Sequence, residues 1–97
     1  IHKVIELYFM FWQPHIDLLN ALRKGGIFEI VLRKIDQEFP AVYESLHGIP
    51  QEERQYGLTS VNVGLCNTLN LWLDTGATES PSEMAAVLVR IIKQYDE

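Results

Sequence analysis

A single cysteine, Cys66, stands in 97 residues. It leaves no internal disulfide and no cysteine-based zinc site, and it suits a reducing compartment. Positive charge is also scarce. Eight Lys and Arg against thirteen Asp and Glu give a net charge of −5, whereas affinity for nucleic acid draws mostly on basic side chains that neutralise phosphates. The densest basic pairs, Arg23-Lys24 and Arg33-Lys34, fall where a solvated helix face or helix end places them. No apolar run is longer than that from Leu7 to Trp12, far short of the roughly 20 residues of a membrane span. Six Gly and four Pro are too few for a fibrous or low-complexity chain. There is no glycine-rich phosphate loop, nucleophile elbow or paired-carboxylate motif. His2, His15 and His47 lie on separate segments without metal-ligand spacing, and Cys66, mid-helix between Leu65 and Leu69, has no cationic neighbour to favour its thiolate. An enzyme, a metal site and a cofactor are therefore not expected.

What is present is an ordinary globular balance, 47% hydrophobic and 22% charged, in a length that builds one core. Residues 1–97 read as one domain. The chain begins at Ile1 inside an apolar pattern (Ile1, Val4, Ile5, Tyr8, Trp12), without a signal-peptide pattern, and reads as a piece of a longer chain. That first helix is apolar on all sides towards its end, until Gln13-Pro14 interrupts it. A second helix is expected from Pro14 to Lys24, with Ile16, Leu18, Leu19 and Leu22 inside and Gly25-Gly26 as its stop. In the third, Phe28, Val31, Leu32, Ile35 and Phe39 form the apolar stripe, opposite Glu29, Arg33, Asp36 and Gln37. Pro40 ends or kinks it, and Ala41 to Leu46 hold a further short turn. A fourth helix spans Gln51 to Thr75 with Gly76 as its stop. Ser80-Pro81-Ser82-Glu83 then sets an N-cap Ser, a first-position Pro and a third-position Glu in order, so a fifth helix runs from Pro81 to about Tyr95. No hairpin-bounded alternation, repeat or linker occurs. The expected class is all-α, an antiparallel bundle of about five helices.

The fourth helix has two faces. Leu58, Val61, Leu65, Leu69 and Trp72 make an apolar stripe, while Gly57, Ser60, Gly64, Asn67 and Leu71 make a stripe of mainly small or polar side chains. The second stripe lets another helix approach to about 8 Å. Its occupant is either the fifth helix of the same chain or a second copy. The fifth helix has its own wide apolar surface, with Met84, Val87, Leu88, Ile91 and Tyr95 on one side and Ala85, Val89 and Ile92 on another. An intersubunit four-helix bundle covers both by two-fold symmetry. Ser60, Gly64, Asn67, Leu71, Met84, Leu88, Ile91 and Ile92 are its expected contacts. Asn62 and Asn67, mid-helix, are either internally hydrogen-bonded, solvent-facing or turned to a cavity. Aromatic side chains are dense for so small a core. Trp12, Phe28, Tyr43, Asn62 and Cys66 are the residues expected beside any cavity.

The stretch YGLTSVNVGLCNTLNLWLDTGATESPSEMAAVLVRII, Tyr56 to Ile92, resembles the last two helices of the effector domain of TetR-family bacterial transcriptional regulators. The shared features are a mid-helix Gly64, the apolar run Leu69 to Leu73 with Trp72, the Gly76 turn, and Ser80-Pro81-Ser82-Glu83-Met84. The front, LYFMFWQPHIDLLNALRKGG, is similar to that family's aromatic helix end, short break and Leu-spaced helix. The resemblance implies a homodimer made by the last two helices and a subunit cavity for a small apolar or amphipathic effector. It also implies a cytoplasmic regulatory role without membrane attachment. DNA would be bound only through an N-terminal helix-turn-helix, which these residues do not contain. A helical protein–protein interaction module without a small-molecule ligand is the alternative reading.

Overall fold

The computed structural model describes residues 1–39, 44 and 46–95, the side chain of Tyr95 excepted. Among the described residues five α-helices and two short 3-10 turns are joined by turns and irregular stretches, with no strand: an all-α fold. The helices are α1 (His2–Trp12), α2 (Ile16–Lys24), α3 (Phe28–Asp36), α4 (Arg54–Asp74) and α5 (Pro81–Tyr95). Gln13–His15 form a 3-10 turn whose flanking residues keep helical dihedrals, so α1 and α2 count equally as one bent helix. Pro14 accordingly lies in that turn, and α2 starts at Ile16, two residues later than its proline signals. A second 3-10 turn, Gln51–Glu53, leads into α4.

The helix ends form where local chemistry demands them. After α2, Gly26 has φ 75°. The Ile27 N–H donates to the Leu22 carbonyl and the Gly26 N–H to the Arg23 carbonyl, at 3.1 Å each. After α4, Gly76 at φ 95° repeats the motif, Ala77 N–H to Trp72 carbonyl at 2.8 Å and Gly76 N–H to Leu73 carbonyl at 3.2 Å. Both are Schellman stops, which need a left-handed residue that glycine adopts without strain. The indole N–H of Trp72 donates to the Glu79 carbonyl at 3.0 Å, fastening the turn to the helix it follows. At the start of α5 the Ser80 N–H donates to Glu83 Oε1 at 2.9 Å, and the Glu83 N–H to Ser80 Oγ at 3.1 Å. The expected capping box is formed.

Close packing pairs α1 with α5 and α3 with α4, and α1 also approaches α4. The core runs between these pairs. Tyr8, Phe9 and Trp12 of α1, Leu19 of α2, Leu32 of α3, and Leu69 and Trp72 of α4 are buried. Phe9 meets Trp72 edge to face at 5.4 Å, and Tyr8 meets Phe39 at 5.6 Å, a geometry that aromatic quadrupoles favour. The aromatic surplus of α1 is thus largely core, and Trp12 belongs to it. Two inward assignments are corrected. Leu18 is exposed, because only Leu19 with parts of Ile16 and Leu22 fits the narrow face that α2 presents. Ile35 is exposed, and Asp36, expected in solvent, is fully buried. Helical spacing explains the exchange, since Phe28, Leu32 and Asp36 recur every four residues along one narrow arc of α3. Tyr43, and most of the turn expected over Ala41 to Leu46, lie outside the described residues.

Candidate functional site

Asp36 brings a carboxyl group into the interior, where its surroundings are polar but incompletely matched. The Tyr8 hydroxyl donates to Oδ2 at 2.8 Å, while Oδ1 has no partner among the described residues. The Trp12 indole lies near enough to favour the ionised carboxylate, yet its Nε1 makes no well-aligned hydrogen bond. Burial outweighs both neighbours and pushes the Asp36 carboxyl up to about 6. The Tyr8 hydroxyl is pushed far up as well, first by burial and then by the carboxylate beside it. Cys66 lies within range of the same charge. Burial, with Asp36 and Glu29 nearby, raises its thiol to about 11, so it is a protonated thiol at neutral pH.

Asn62 extends this polar interior towards the surface between α3 and α4. It is 4% exposed and its Oδ1 has no hydrogen-bond partner among the described residues. A pit of about 20 Å³ lies between Asn62, Cys66 and Asn67 of α4 and Glu29 and Arg33 of α3. It adjoins a cleft of about 580 Å³, which shares Asn62, Val63 and Arg33 and reaches Gln37, Gln55 and Thr59. On the other side Cys66 and Asn67 also border an open groove of about 610 Å³, with Phe28, Asn20, Arg23 and Lys24 around it. Arg23 there is held by Asp74 and by Asn20 Oδ1.

The structure therefore brings Phe28, Asn62 and Cys66 together along the α3–α4 seam and sets Trp12 apart, buried against α1's own neighbours. Asp36 was missed because its charge suggests solvent. The signal that finds it is its position eight residues after Phe28 and four after Leu32. Among the described residues no group of three metal-ligating side chains is assembled, and no helix is long and apolar enough to cross a membrane.

The residues expected at a dimer contact divide into two sets. Ser60, Gly64, Asn67 and Leu71 are exposed along one side of α4, Leu71 to 61%, and a Cβ added at Gly64 meets nothing within 4 Å. Ile91 and Ile92 are also exposed, by 46% and 44%. Met84, in contrast, is buried in its own protomer, and Leu88 is half-buried against the same core, because α5 lays that side on α1. Gly57, at the near end of the small-residue stripe, is closed by Leu46, whose Cδ2 lies 3.1 Å from where a Cβ would stand. The fifth helix does not occupy the stripe, since its close partner is α1.

Comparison with protein-family models, with curated proteins and with solved structures returns no match for this chain.

Proposed function

We propose that this chain is the effector-sensing and dimerisation domain of a TetR-like bacterial regulator that works in the cytoplasm. It pairs with a second copy, senses a small amphipathic molecule, and passes the change to an N-terminal helix-turn-helix outside these 97 residues. The observation that carries the reading is the free side of α4. Tyr56, Ser60, Val63, Gly64, Asn67 and Leu71 stand exposed on the longest described helix, and among the described residues nothing lies within 4 Å of a Cβ added at Gly64. Small residues there let a second α4 approach closely, and a two-fold axis repeats the contact on both copies. Binding in the α3–α4 seam then favours one spacing of α4 over another, a shift of populations between two arrangements of the dimer.

Sedimentation at micromolar concentration tests the pairing, with a dimer expected. Gly64→Leu separates association from folding. The new side chain meets no protomer atom at its Cβ, and leaving Gly favours a helix by about 0.8 kcal/mol, so thermal stability of the protomer holds or rises while the dimer weakens. A wild-type monomer overturns the homodimer.

One observation favours the second reading, a helical interaction module without a small-molecule ligand. With Met84 and Leu88 turned into the protomer, the exposed large apolar side chains of α5 among the described residues are Ile91 and Ile92. A single helix from an unlike partner then fits α4 alone. A monomer whose α4 side is protected only by such a partner supports this reading.

A further inference from the structure

We infer that the α3–α4 seam is a binding site for an uncharged, hydroxyl-bearing amphipathic small molecule, whose hydroxyl enters the pit at Asn62 and whose body lies in the outer cleft. The inference rests on the sensing half of the function proposed above and gives it a place and a ligand chemistry.

The carrying observation is Asn62. Its side chain is more than nine-tenths buried, its Oδ1 has no partner among the described residues, and it borders both the pit and the outer cleft. A buried amide left unsatisfied is costly, and a ligand that completes the hydrogen bond recovers that cost. The pit, at about 20 Å³, has room for a water-sized group. A hydroxyl fits that volume. It also both donates and accepts, so it serves the amide in either orientation. The neighbouring Cys66 thiol, protonated at neutral pH, adds a soft apolar wall.

Charge decides against an ionised ligand. Arg33 and Glu29 border the pit but pair with each other at 2.7 Å. The remaining carboxylate at the outer cleft, Glu38, repels anions. A cation would find no unpaired carboxylate in the pit itself. The outer cleft, about 580 Å³, is within the range of small-molecule sites. Leu58 and Val63 give it apolar walls, and Gln37, Gln55 and Thr59 a polar edge. An apolar body with one hydroxyl, such as a phenol or a medium-chain alcohol, matches that division.

The test is a titration of the 97-residue chain with phenol, toluene and benzoate, followed by two-dimensional amide NMR including the Asn62 side-chain resonances. Phenol is expected to shift the Asn62 amide and the backbone of α3 and α4 saturably. Toluene, which lacks the hydroxyl, and benzoate, which carries charge, should bind at least tenfold more weakly. Asn62→Leu should remove the preference for phenol over toluene. Thr59→Trp, at an exposed edge position, should block all three without touching the core. Equal binding of phenol and toluene, or phenol shifts that persist unchanged in both variants, overturns the inference, as does the absence of any saturable shift. Sedimentation with and without phenol is read separately. Dimers that bind no phenol sink this site and leave the pairing intact; phenol binding to a monomer keeps the site and sinks the dimer.

Discussion

Replacing Asp36 with Asn should change how stability depends on pH, and the size follows from its setting. The carboxyl is fully buried and moves from 3.8 to about 6, burial outweighing the Tyr8 hydroxyl and the Trp12 indole. The folded chain therefore holds this proton more tightly than the unfolded chain does. Its contribution to stability is present in full below the unfolded value and is lost as pH rises through the folded one. One pKa unit is about 1.4 kcal/mol, so the loss between about pH 4 and pH 8 amounts to roughly 3 kcal/mol. That is a large part of the roughly 5–15 kcal/mol of a typical domain. The amide that Asp36→Asn introduces cannot ionise but still offers an acceptor to the Tyr8 hydroxyl. Urea unfolding followed by circular dichroism, for wild type and Asp36→Asn across that range, isolates the effect, because the other carboxylates titrate alike in both proteins. The wild type should lose about 3 kcal/mol relative to the variant as pH rises, with the midpoint of the loss between the unfolded value of 3.8 and the folded value of about 6. Tyr8→Phe removes a hydrogen bond that favours the charged form, so the midpoint should climb further. A difference between wild type and Asp36→Asn that does not vary with pH refutes the burial of this charge.

Other expectations follow from single features. Ser80→Ala removes the side-chain half of the capping box and should cost about 1 kcal/mol in thermal or urea unfolding; an unchanged midpoint would mean that the box is not formed in solution. Glu83, held below the usual carboxylate range by the Ser80 backbone and hydroxyl, contributes above its unfolded pKa and loses that contribution as pH falls through the lowered value. Glu83→Gln should flatten this acid limb of the stability curve. Gly76→Ala puts a side chain at φ 95° and should destabilise by about 1–2 kcal/mol, read as a lower melting temperature. The buried Cys66 thiol, raised to about 11, should resist a thiol-reactive probe at about pH 8 until the chain unfolds, and labelling at the rate of a free thiol would place it on the surface.

The legible parts of the fold are those whose cause is local. Gly26 and Gly76 stop helices because of dihedral preference, and Ser80 with Glu83 starts one through two hydrogen bonds three residues apart. Such causes are complete within a few residues of sequence. Periodicity tells which side of a helix is buried but not by what. The apolar sides of α1 and α5 are both readable, yet their pairing with each other, which turns Met84 and Leu88 inward, is a tertiary fact that no spacing contains. The same limit leaves Gly57 against Leu46 unforeseen.

Asn62 and Asp36 show how polar residues divide between the legible and the hidden. An Asn in mid-helix breaks local propensity, so it invites the question of what repays it. Asp36 breaks no such rule, since an acid on a helix next to Arg33 and Lys34 passes as a solvated group. Its position decides otherwise. It lies eight residues after Phe28 and four after Leu32, both buried, and a side chain on that arc goes inward unless the helix rotates and exposes two large apolar groups. Burying one carboxyl that can keep its proton and meet Tyr8 costs less than exposing both. The polar seam that runs from Asp36 past Cys66 to Asn62 therefore follows from the packing of α3 on α4.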